Sequence, residues 1–167
     1  MPSDAKVIGV ELLIIAIVLT GFPQLVRARD VQSTFEQVLA SASSGFTNIE
    51  GRTTRDGKSY WSTITVPGFD KCLVTPNEDY YCSAHPGNEE AGMTAYRNIV
   101  DGVKAATKNE WDFAEKVFTN KYGSARRTTF RKRGESDSGA SIEVYFGYDW
   151  MHESGFLLMV KYSLRTD

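Results

Sequence analysis

The chain has 167 residues, 41% of them hydrophobic and 12% aromatic, enough apolar material for one well-filled core and too much for a disordered chain. Its formal net charge of -2 provides no global field that would draw it to nucleic acid or to an anionic membrane. Walker, Rossmann and Gly-x-Ser-x-Gly patterns are absent, so no nucleotide cofactor or serine nucleophile is expected from motif.

Residues 1–28 have the layout of a secretory signal. Lys6 precedes the almost wholly apolar run Val7 to Leu19, Gly21-Phe22-Pro23 breaks it, and Val26-Arg27-Ala28 places small residues at the -3 and -1 positions of a cleavage site. Glu11 within the run and Arg27 beside the cleavage point depart from that layout, and an uncleaved membrane anchor is the rival reading. The signal reading leaves 29–167 as a single domain in a periplasmic or secreted compartment, with membrane contact only if the segment stays attached.

The first expected helix runs from about Val31 to Ser43. Val31, Phe35, Val38, Leu39 and Ala42 recur at helical spacing, Ser33 and Glu36 offer a capping box, and Ser43-Ser44-Gly45 stops it. Strands at about Phe46–Thr54 and Ser59–Val66 follow, joined through Arg55-Asp56-Gly57-Lys58, where Asp-Gly is a hairpin signal.

Cys72 and Cys82 are the only cysteines, and they flank Thr75-Pro76-Asn77-Glu78-Asp79. With Pro76, Asn77 and Glu78 as a three-residue loop, Val74 pairs with Tyr80, Leu73 with Tyr81, and Cys72 falls opposite Cys82 within disulfide reach. In an oxidising compartment such a pair bridges, whereas a redox role would need Cys-x-x-Cys at a helix start.

A second unit opens after His85-Pro86-Gly87-Asn88. Met93, Tyr96, Ile99, Val100 and Val103 line one face of a helix from Glu89 to about Thr107, with Glu89 and Glu90 at the dipole end that favours carboxylates. Trp111, Ala114, Val117 and Phe118 suggest a further short helix. Strands are expected at about Ser124–Arg133, Ala140–Tyr148 and Gly155–Leu164. The last is apolar on both faces and should sit centrally or covered on both sides. Helix then strands, twice, with connections too short for parallel crossovers, implies an α+β fold: a curved antiparallel sheet of about six to seven strands with two main helices on one face.

The densest charge lies on the strand after Gly123. Arg127, Arg131 and Arg133 share one face by the period of two, while Arg126 and Lys132 point the other way beside Phe130. From Lys108 to Arg133 there are eight Lys and Arg against three acids, a local +5, and from Asn77 to Asp101 five acids against Arg97, a local -4. Arginine forks bind carboxylate and phosphate, so Arg127, Arg131 and Arg133 mark a surface for a small anionic ligand or an acidic protein partner. The bland alternative is an edge strand protected by charge. Adjacent aromatics at Tyr60-Trp61 and Tyr80-Tyr81 must point to opposite faces of their strands, so some lie on the outer face of the sheet.

Three functional readings follow. The first is a small exported, non-catalytic binding module. A more specific form is an inhibitor or immunity-type protein that enters a partner's cleft. The third is a small hydrolase or metal enzyme built on His152 with Asp149 or Glu153, although His-Glu-Ser-Gly-Phe lacks the second histidine of the zinc motif. No metal or cofactor is expected under the first two.

Overall fold

The computed structural model describes residues 27–77, 79–108, 110–120, 123–134, 139–148 and 155–164. Two helices, α1 (Ala28–Ser41) and α2 (Glu89–Thr107), each precede four strands: β1 (Glu50–Thr53), β2 (Tyr60–Ser62), β3 (Lys71–Val74) and β4 (Asp79–Ala84) after the first, then β5 (Trp111–Asn120), β6 (Gly123–Lys132), β7 (Ser141–Tyr148) and β8 (Phe156–Ser163) after the second. All pairings are antiparallel, in the order β1-β2-β3-β4-β8-β7-β6-β5. The last strands of the two units thus meet in the middle, where Asp79 pairs with Ser163 and Ala84 with Leu158.

The α+β class, the antiparallel sheet and its two-unit layout are as expected, with eight strands rather than six or seven. The additional strand is β5. The segment expected as a short helix pairs with β6 without interruption from Trp111↔Lys132 to Asn120↔Gly123. Trp111, Phe113 and Val117 share one side of it at a period of two, and the helical spacing of Trp111, Ala114, Val117 and Phe118 is coincidental.

The cysteine hairpin has the anticipated register, with Val74↔Tyr80, Leu73↔Tyr81 and Cys72↔Cys82. The Thr75 N–H donates to the Asp79 carbonyl at 2.9 Å to close it. Cys72 and Cys82 form a disulfide between Cα atoms 4.1 Å apart, with both side chains buried. Helix α2 has the expected bounds, and Asn88 caps it by accepting the Ala91 N–H at 2.8 Å.

Helix α1 starts three residues before the expected Val31. Ser33 is therefore no cap: it lies inside the helix and its hydroxyl donates back to the Asp30 carbonyl at 3.0 Å. The helix extends backward because Ala28 and Val31 pack against Gly102 of α2, where a Cβ would stand 2.5 Å from Val31 Cβ and 2.7 Å from the Ala28 carbonyl oxygen. Strands β1 and β2 are shorter than expected, because residues 47–49 form a 3-10 turn and 64–66 run unpaired. Thr54 and Ser59 close the hairpin around Arg55–Lys58, with Gly57 at φ 71°.

Both helices lie on one face of the sheet. Val31, Phe35 and Val38 of α1 and Tyr96, Ile99 and Val103 of α2 bury against Val74, Tyr80, Cys82, Ile142, Val144, Phe146, Leu158 and Val160. After α1, Phe46 takes left-handed backbone at φ 65°, which a bulky residue seldom adopts. The strain is offset by its fully buried ring, 5.3 Å from Tyr162 and 6.1 Å from Tyr80 between centroids.

Candidate functional site

Alternation along β6 divides its basic residues as the sequence implies. Thr128 and Phe130 bury toward the helices, which puts Arg126 and Lys132 on that side and Arg127, Thr129 and Arg131 on the opposite, helix-free side. Arg127 and Arg131 are exposed there. The Arg127 guanidinium lies 5.4 Å from the Phe118 ring centroid, with Lys116 Nζ 5.3 Å from the same ring. Arg131 stands opposite Asp112 in the β5 register. Arg133 falls one residue beyond β6, where its Nε donates to Asp112 Oδ1 at 2.8 Å. The arginines therefore form an exposed row beside β5, with Arg133 already paired to a carboxylate.

That row borders an aromatic and aliphatic band. Reading across the sheet, Thr129 leads through Glu143, Lys161 and Tyr81 to Leu73 and Trp61, while Arg127 leads through Tyr145 and Met159 to Ser83 and Lys71. Trp61, Leu73, Tyr81, Tyr145, Leu157 and Met159 are all half-buried, although both helices lie on the other face. The adjacent pair Tyr80 and Tyr81 shows the division: Tyr80 is fully buried and donates from its hydroxyl to the Ile64 carbonyl at 2.9 Å, whereas Tyr81 faces outward. Burial holds the Tyr80 hydroxyl well above the ordinary tyrosine range. Near the end of the band, Lys161 Nζ and Asp79 Oδ2 form an ion pair at 3.0 Å.

On the helix side, a cleft of about 250 Å³ opens between α2 and the β5–β6 hairpin. The Tyr96 oxygen lies 2.6 Å from Thr128 Oγ1 and donates to Glu115 Oε1 at 3.3 Å, and Arg126 Nη1 reaches the same carboxylate oxygen at 3.3 Å. Burial, reinforced by the Glu115 charge against the opposing Thr128 hydrogen bond, pushes Tyr96 up to about 12. At this value Tyr96 keeps its proton at neutral pH and serves as a structural donor. Lys104 Nζ sits 4.2 Å over the Phe113 ring at the cleft mouth.

The sequence singled out Arg127, Arg131 and Arg133 but not this Tyr96–Thr128–Glu115–Arg126 cluster. The cluster depends on Glu115 lying on a strand that faces α2. Asp149, His152 and Glu153 lie outside the described residues. His85 is exposed just after β4, where its backbone N–H donates to Asp70 Oδ2 at 3.3 Å. Among the described residues no group of three or more His, Cys, Asp or Glu side chains comes together to hold a cation, and no helix is long and apolar enough to cross a membrane.

The fold is thus an open, one-sided antiparallel α+β sheet stapled by one disulfide. The chain matches no protein-family model, and neither a curated protein nor a solved structure gives a significant match.

Proposed function

We propose that the chain is an exported, non-catalytic interaction module that binds a protein partner through the helix-free face of its sheet. The observation that carries this reading is the half-buried band of Trp61, Leu73, Tyr81, Tyr145, Leu157 and Met159 on the face away from both helices. Amphipathic rings give large contact area at low entropic cost, and the exposed Arg127 and Arg131 beside them suit carboxylates on the partner. Export is supported by the apolar leader-like segment in the sequence and by the buried disulfide, which belongs to an oxidising compartment.

The test uses the full chain, expressed in its native host and recovered from the envelope or culture-medium fraction. Wild type should retain a stoichiometric partner, and Tyr81→Glu and Met159→Glu should lose it while melting as wild type does. Retention of the partner by both variants, or a wild type that binds none, refutes the assigned face. N-terminal sequencing of the recovered protein tests export separately: cytosolic protein with the apolar leader-like segment intact refutes it.

A further inference from the structure

Among the described residues the exposed large apolar side chains are Tyr60, Phe113 and Val117. Phe113 and Val117, 54% and 52% exposed, stand on the same side of β5, the end strand of the sheet. The two ends of the sheet are built differently. Strand β1 has four residues and a register shift, which blunts that edge. Strand β5 has ten residues, no proline and an unbroken register with β6, and every residue from Asp112 to Val117 is exposed. In an end strand half of the backbone N–H and C=O groups point away from the sheet, so a long, part-apolar edge is a template for one more strand.

We propose that a second copy of this chain supplies that strand: β5 pairs antiparallel with β5 of the other copy about a two-fold axis through Ala114, so that the two sheets continue as one. The order of charges selects both occupant and register. An axis normal to the sheet keeps both helix layers on one side and brings together residues of like parity. Centred on Ala114, Asp112 of each copy faces Lys116 of the other on the helix-free side, and the small Ala114 meets itself on the axis. On the helix side Trp111 faces Val117 of the other copy, and Phe113 lies diagonal to both Phe113 and Val117, within aromatic reach. Centring on Glu115 or on Lys116 opposes like charges at the axis, and centring on Phe113 places Asp112 against Ala114 with no cation. The surface is separate from the helix-free face, and the dimer stands or falls independently of the partner proposed there.

Sedimentation velocity on the full chain from about 1 to about 200 µM should show a concentration-dependent shift to twice the chain mass, as a modest interface implies. Val117→Lys should raise the midpoint concentration by at least about tenfold without changing the melting temperature read at concentrations where both proteins are monomers. Ala114→Cys should form an interchain disulfide on mild oxidation, because the two-fold places the thiols face to face, whereas Lys116→Cys should not. A monomer across the whole range, a dimer indifferent to Val117→Lys, or equal cross-linking of the two cysteine variants overturns the proposal.

Discussion

Replacing Gly102 by Ala probes the contact that sets α1 on α2. In a free helix the change is favourable by about 1 kcal/mol, because alanine has less backbone entropy to lose. Here the new methyl would lie 2.5 Å from Val31 Cβ, 2.6 Å from Val31 Cγ1 and 2.7 Å from the Ala28 carbonyl oxygen. Two of those three atoms are fixed to the α1 backbone, so no rotamer change relieves the overlap and α1 must shift by roughly an ångström. Val31, Phe35 and Val38, all fully buried, shift with it. Overpacking of this kind costs up to about 3 kcal/mol, which leaves a net loss of up to about 2 kcal/mol. Urea unfolding followed by circular dichroism reads this as a lower midpoint at unchanged slope. The control is Gly87→Ala, where a Cβ meets nothing within 4 Å and the expected change is within about 0.5 kcal/mol. A Gly102→Ala protein as stable as wild type would show that the helices do not cross this closely.

Removing the bridge by Cys72→Ala with Cys82→Ala should cost about 2 to 3 kcal/mol, because the closed loop is short and its main effect is on the unfolded chain. Intact-mass measurement with and without reductant checks its presence, and two free thiols in the native protein contradict it. At high pH, Tyr96 and Tyr80 oppose unfolding only while protonated. Their folded values lie above the ordinary tyrosine value of about 10, so stability is fully present below about pH 10 and falls as the pH rises toward about 12. Tyr96→Phe should flatten that alkaline decline, and an unchanged pH profile would contradict the buried hydroxyl.

How much of this was legible depended on whether local rules and packing agreed. The cysteine hairpin was readable because one loop length fixes register, and the bounds of α2 because its cap, first-turn carboxylates and apolar stripe coincide at Glu89. The start of α1 was not, since it is set by Gly102, a residue in the other helix, while Ser33 and Glu36 offered a local signal that lost. Strand β5 is not legible as a strand because Glu115 interrupts the alternation of Trp111, Phe113 and Val117 on the side facing the helices. A carboxylate there is intelligible only once Tyr96 and Arg126 are seen to hold it. The partner of Arg133 is hidden for the same reason, since Asp112 comes beside it only through the β5–β6 pairing.

The central seam orders the assembly in time. Strand β8, the last in chain order, sits between β4 and β7, so the two meanders have no ladder joining them until it arrives. Ribosomal synthesis delivers it after the other seven strands, which makes closure of the sheet a late event. Cutting the chain before Phe156 would leave two hairpin arrays with their inner edges bare.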